Sequence, residues 1–286
     1  MTGMTVSRSP ISLHRPAGPS RGVMLTAALL GSTLMPAAAS ADEPDYCPDR
    51  PGIGTPACTL EPGRASVEIG MGDWTLDKDR QERQDVFEAA ELLVRYGVAR
   101  HAEIQVGWTA FGWSRTRDRM TGDVEHRSGS GDATFALRRN LLNPDGSGLS
   151  IAVMPYISLP VGRQPIGDGD WAAGARVPLS YELSDKWSLV TTSQFDAAVD
   201  EDGDGRHFAF DEVVGASLKI GEALSATAEY EVTADHDPQG HSVAHVSGLS
   251  LGWQPTKDLQ IDAGANAGLD RDAPDLELYF GLSRRF

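Results

Sequence analysis

The chain has 286 residues, 40% of them hydrophobic and 7% aromatic, with 25 Lys and Arg against 41 Asp and Glu for a formal net charge of −16. Its negative mean hydropathy excludes a helical membrane protein but not a barrel, whose strands are apolar on one face only. The acidic excess argues against nucleic acid as a partner, since that requires a basic footprint.

In chain order, residues 1–41 carry Arg8, Arg15 and Arg21 with no acid, then an apolar run over 22–36, then Ala39-Ser40-Ala41. Basic start, apolar middle and small-residue exit are the order of a secretory signal peptide. The mature chain is expected to start near Asp42 and to be more acidic still. Residues 42–62 hold too many prolines for regular structure. They read as a periplasmic lead-in, in which export favours a disulfide between Cys47 and Cys58. Without a nearby His pair the two cysteines do not complete a zinc site.

From residue 63 onward the chain repeats one unit, an alternating segment of about ten residues followed by a polar break. The expected strands are 65–76, 86–98, 102–113, 132–142, 149–159, 171–182, 187–199, 208–220, 224–234, 242–253, 259–269 and 275–286. Side chains alternate between faces along a strand, so each segment sorts into an apolar and a polar side. In the first, Val67, Ile69 and Met71 oppose Glu68, Gly70 and Gly72. In the last, Leu276, Leu278, Phe280, Leu282 and Phe286 oppose Glu277, Tyr279, Gly281, Ser283 and Arg285. The breaks sort as well. With the amino end periplasmic, short turns near Arg100, Asp185, Gly221 and Thr256 fall on one side. Longer polar loops at 77–85, 114–131, 161–170, 200–207, 235–241 and 270–274 fall on the other. Short turns inside and long loops outside are the asymmetry of an outer-membrane barrel. Trp108, Tyr96, Trp171, Tyr181, Trp187, Trp253 and Phe286 sit near strand ends, where an interfacial girdle belongs.

The expected architecture is therefore an all-β, transmembrane antiparallel barrel of about twelve strands over 63–286. As a dry core, its polar faces would bury charges at several kcal/mol each. As the wall of a wet lumen they cost little. Candidate lumen-lining residues are Glu68, Arg95, Glu103, Arg138, Arg176, Asp196, Asp211, Lys219, Glu229 and Glu231. Such charges either set pore electrostatics or pair across the lumen and close it.

Several stretches resemble one family. They are D-R-P-G at 49–52, P-G-R-A-S-V-E-I-G at 62–70, G-S-G-D-A-T-F-A-L-R-R-N at 129–140, S-L-P-V-G at 158–162, and the terminal strand ending on Phe286. The chain is similar in these to the outer-membrane transporter family associated with the MetA pathway of phenol degradation. The terminal strand also resembles the closing strand that the barrel-assembly machinery reads, although Arg284 departs from that pattern. The resemblance implies a bacterial outer-membrane location, contact with lipid and lipopolysaccharide, and uptake of small hydrophobic or aromatic cargo.

Two constellations bear on chemistry. Asp200-Glu201-Asp202-Gly203-Asp204-Gly205 matches the opening of an EF-hand loop, with Asp200, Asp202 and Asp204 as oxygen donors and Asp211 at the twelfth position. No other cofactor is expected, and Ca2+ there competes with an ordinary acidic loop. His245 lies near Ser247 and Ser250, with no orienting third group in view, so no catalytic residue is assigned and no enzyme is expected. The functional expectation is passage of small molecules through the lumen. The alternatives are a non-conducting surface barrel working through its loops, and a soluble periplasmic β-sandwich.

Overall fold

The computed structural model describes residues 44–203 and 205–286; the expected leader at 1–41 and Asp204 lie outside the described residues. Among these there are thirteen strands, β1 (Ala65–Lys78), β2 (Glu82–Ala99), β3 (Ala102–Asp118), β4 (Val124–Gly129), β5 (Ala133–Leu142), β6 (Leu149–Leu159), β7 (Ala172–Glu182), β8 (Trp187–Val199), β9 (Arg206–Ile220), β10 (Leu224–Asp237), β11 (Gly240–Thr256), β12 (Leu259–Gly268) and β13 (Leu276–Arg285). All neighbours are antiparallel, and β13 pairs with β1 from Ser66↔Arg285 to Leu76↔Leu276, which closes the sheet. Closure leaves no free edge within the wall, the condition for a sheet to stand in lipid.

Twelve strand positions make the wall, because β4 and β5 occupy one position between them. β5 pairs with the lower part of β3, from Ala102↔Arg139 to Trp108↔Ala133. β4 pairs with its upper part, from Gly112↔Gly129 to Arg117↔Val124. The segment 114–131, expected as loop, is thus largely a hairpin standing above the wall. It is polar on both faces, so it carries no alternation for a sequence reading to find. Its turn is made locally, with Asp118 accepting from the Met120 and Thr121 amides at 2.7 and 2.9 Å. In the same way 235–241 is mostly strand, with His236 opposite His241.

The polarity of the molecule is inverted relative to a soluble protein. Ile104, Val106, Trp108, Phe135, Leu137, Val214, Leu249, Leu251, Leu278 and Phe280 are exposed on the outer face. The largest fully buried side chains are Arg95, Arg138, Glu68 and Glu103. This excludes the soluble sandwich, whose interior would be apolar. The girdle residues Tyr96, Trp108, Trp171, Tyr181, Trp187, Trp253 and Phe286 are all exposed. One facing differs from expectation. The register shifts between Gly70 and Gly72, and Ala90 on the neighbouring strand adopts a φ of 56°. Gly72 consequently turns outward, where a Cβ would sit 2.8 Å from the Phe280 ring.

The outer face sets a testable cost. Phe280, 51% exposed and paired with Ala263 and Gly72, belongs to the lipid belt. Phe280→Arg is expected to lower the unfolding free energy by about 2–4 kcal/mol in bilayers, the cost of a cation near the membrane midplane. Urea titration in liposomes measures it; an unchanged midpoint would place Phe280 outside the hydrocarbon.

Candidate functional site in the lumen

A Pro-rich segment cannot satisfy its backbone by making a ladder, since proline has no N–H. Residues 44–62 resolve this by folding into the periplasmic half of the lumen, where barrel side chains meet their backbone groups one by one. The lead-in expected below the barrel is therefore a plug inside it. The Asp49 and Arg50 amides donate to the two carboxylate oxygens of Glu68, each at 3.0 Å. The Ile53 and Gly54 amides donate to Glu229 at 2.8 and 3.0 Å, and that of Leu60 to Glu103 at 2.7 Å. In return Arg95 donates to the Cys47 carbonyl (2.9 Å), Arg138 to that of Cys58 (3.1 Å), Asn140 to that of Ala57 (2.9 Å) and Gln260 to that of Arg50 (2.6 Å). Irregular backbone at membrane depth is tolerated where protein encloses it and pairs its polar groups.

Five charges lock the plug to the wall. Arg95 reaches Glu103 (2.9 Å), Glu68 (3.1 Å) and Asp49 (3.0 Å), while Arg138 reaches Asp49 (2.7 Å) and Glu103 (3.0 Å). Gln105 donates to both Asp49 and Glu103. A second clasp joins Arg50 to Asp262 at 3.1 Å, with the guanidinium 5.5 Å from the Tyr279 ring centroid. Beyond the second clasp the chain needs a tight, left-handed step. Gly52 provides it with a φ of 115°, and a Cβ there would lie 2.6 Å from Glu229. The D-R-P-G stretch is therefore the part of the plug that grips the barrel. The Cys47–Cys58 disulfide closes the loop around it.

Asp49 carries a pH signature. Burial pushes its carboxyl up, but the Arg138 and Arg95 guanidiniums and the hydrogen bonds of Arg138 and Gln105 outweigh that and hold it at about 2, below its ordinary 3.8. A depressed carboxyl stabilises the folded form above its unfolded value and loses that stabilisation as pH falls through the folded one. Asp49's share of the plug's hold should therefore be constant at neutral pH and weaken between about pH 4 and 2, by about 2 kcal/mol. Conductance recorded across that range tests it. Asp49→Asn should show the loosened, higher-conductance behaviour already at neutral pH, and a flat profile in both proteins would rule out this carboxylate as the latch.

The plug lies against β1–β3, β5 and β11–β13, touches β8 at Thr192 and β10 at Glu229, and leaves the rest of the β7–β10 wall open. There Arg176 (β7), Thr192 and Gln194 (β8), Asp211 and Val213 (β9) and Glu231 (β10) face Ile53 and Thr55 of the plug across a cavity of about 200 Å3. Arg176 lies 4.9 Å over the Tyr156 ring, and its Nε donates to Gln194. The Tyr156 hydroxyl bonds Asp196, and Gln194 donates to Asp196 (2.6 Å) and Asp211 (3.2 Å). The expected lumen residues thus divide. Glu68, Arg95, Glu103, Arg138 and Glu229 hold the plug, whereas Arg176, Asp196, Asp211 and Glu231 belong to the open side. Lys219, near the periplasmic end of β9, is exposed and joins neither group. The sequence reading missed Asp49 and Arg50, which it assigned to the periplasm, along with Gln105, Asn140, Gln260 and Asp262. The last four were legible as polar residues on inward-facing strand positions.

The acidic external loop is arranged differently from an EF-hand. Asp211 is five residues into β9 and accepts from Thr233 at 2.6 Å inside the lumen, so an extended strand carries it away from the loop. Among the described residues, Asp200, His207 and Asp237 bring their ligand atoms within reach of one another, and Asp202 is not among them. His207 Nδ1 lies 3.0 Å from Asp200 and 3.4 Å from Asp237, and Nε2 lies 3.1 Å from Asp235.

In fold the chain is similar to the transport unit of the autotransporter AIDA-I from Escherichia coli, with a TM-score of 0.51, 9% identity, and coverage of 77% of this chain and 89% of that one. The KdgM porin (TM-score 0.48, 9% identity, 77% and 99% covered) and the toluene transporter TodX of Pseudomonas putida (0.41, 9%, 78% and 88%) superpose more loosely. No curated protein matches the chain. The architecture is that of a bacterial outer-membrane β-barrel. Over residues 48–286, plug and wall together, the chain belongs to the family described as "Putative MetA-pathway of phenol degradation".

Proposed function

We propose that the protein passes small molecules across the outer membrane along the open side of its lumen, between the plug and β7–β10. The observation that carries this reading is the cavity of about 200 Å3 beside the plug. A cavity of ~150 Å3 accommodates a benzene ring, so the space sets a size limit near one ring. Membership of the family supports aromatic cargo; the lining of Arg176, Asp211 and Glu231 supports cargo that carries charge. No bond-making step is assigned. His245 spends Nδ1 on the Tyr230 hydroxyl at 2.6 Å, and its Nε2 lies 3.9 Å from Asp270; among the described residues no hydrogen bond joins it to Ser247 or Ser250, as a nucleophile–base pair would require. The oxygen-donor site for Ca2+ is carried forward around Asp200 as part of this proposal, without a role in passage. Lipopolysaccharide contact and recognition of the last strand by the assembly machinery belong to it too.

The second reading, a surface barrel that does not conduct, is favoured by the plug and by the β3–β4 hairpin above the wall. Refolded protein in planar bilayers separates the two. Discrete conductance steps are expected for passage, and none for the surface barrel. Uptake of a single-ring hydrocarbon and of a small charged solute, by cells with and without the protein, then distinguishes the cargo classes.

A further inference from the structure

The open side of the lumen has two charged ends whose hydrogen-bonding capacity the protein leaves unused. Arg176 is fixed at its base, with Nε donating to Gln194 and the guanidinium stacked on Tyr156. Its two terminal nitrogens meet no acceptor among the described residues, yet the residue lines the cavity. Glu231 lines the same cavity, and no hydrogen-bond donor reaches its carboxylate among the described residues. Everything between them is occupied. Gln194 uses both its oxygen and its nitrogen, and Asp211 accepts from Thr233 and Gln194. Thr192 exchanges hydrogen bonds with the Thr55 backbone. Ile53 and Val213 add an apolar floor.

The spacing suits a ligand that joins the two ends. Arg176 pairs with Gln194 and Gln194 with Asp211, whereas Glu231 pairs with Val213, one inward position away from Asp211 on β9. The two charges thus stand three strands apart, or ~14 Å along the wall at ~4.8 Å per strand. The reach of an arginine and a glutamate side chain narrows that to the length of a small molecule. A guanidinium held by its Nε keeps a planar fork that matches a carboxylate, and a carboxylate with no donor is the natural partner of an ammonium group. We propose that this cavity binds a small zwitterion of amino-acid size, its carboxylate on Arg176, its ammonium on Glu231 with Asp211 behind, and a short apolar body over Ile53 and Val213. The inference rests on the passage reading and names the class of solute the passage selects.

Full-length mature protein in planar bilayers carries the test, with L-valine as the zwitterion, 3-methylbutanoate as the matched acid and isobutylamine as the matched amine. L-Valine is expected to interrupt the potassium current at concentrations about tenfold lower than either analogue, the effect of losing one charge-assisted contact. Arg176→Gln and Glu231→Gln should each erase that advantage; heat-modifiable gel mobility establishes that the variants fold. The comparison of three solutes on the unaltered protein stands even if a variant does not fold. Equal block by the acid or the amine would overturn the zwitterion and leave a site for a single charge. Current without block by any of the three would overturn the site while leaving passage intact, and absence of current would remove the passage reading and the inference with it.

Discussion

Deleting residues 44–62 is expected to raise the single-channel conductance of the barrel several-fold. The plug fills the periplasmic half of the lumen with backbone that no strand pairs, and its amides and carbonyls are satisfied by Glu68, Glu103, Glu229, Arg95, Arg138 and Gln260. Removing it exchanges those contacts for water, which pairs the same groups at small cost in a wet lumen. Charge balance survives around the first clasp, because loss of Asp49 leaves Arg95 and Arg138 facing Glu68 and Glu103, while Asp262, deprived of Arg50, meets water in the opened lumen. The wall itself is untouched, since the plug adds no strand to it. The shortened protein should therefore fold and carry more current than the chain that retains residues 44–62. Equal conductance in the two would mean that ions already bypass the plug along the Arg176–Glu231 side, and that the plug does not limit flow.

The wall was legible in the sequence for a reason that also explains what was not. Alternation of faces is a local property, so β6 and β8 fall on their expected limits, and Glu68, Arg95, Glu103 and Arg138 could be assigned to the lumen from their neighbours alone. The strand extensions above the membrane, β4 above all, are held by backbone ladders with polar side chains on both faces, and the period of two disappears there. The plug has no period at all. Its conformation is dictated by partners far along the chain, with Asp49 bound to Arg138 and Ile53 to Glu229. The D-R-P-G stretch and the lumen charges were each visible, but nothing within either points to the other. Gly72 failed for a different reason, because a bulge resets the face of every residue beyond it and the sequence of β1 does not mark where that happens.

Arg95→Met is expected to destabilise the barrel by about 3–5 kcal/mol, the cost of removing one partner from a buried ionic network. Arg95 has no exposed side-chain surface and donates to both oxygens of Glu103, to Glu68 and to the Cys47 carbonyl, with Asp49 3.0 Å away. Methionine nearly fills the volume, so the loss is of charge rather than packing. Among the described residues Glu68 is then left with no cation within bonding distance, and Asp49 and Glu103 must share Arg138. Arg127→Met supplies the contrast. That residue pairs with Glu125 on the β4 hairpin, where both side chains are largely exposed, and surface pairs contribute about 0–1 kcal/mol. Urea unfolding in liposomes compares the two variants. Adding Glu103→Gln to Arg95→Met should recover part of the loss, because it removes a carboxylate the arginine no longer neutralises, and the non-additivity measures their coupling. If Arg95→Met costs no more than Arg127→Met, water reaches the network and screens it. The plug would then be held by its backbone hydrogen bonds alone, and Asp49→Asn should not open the channel at neutral pH.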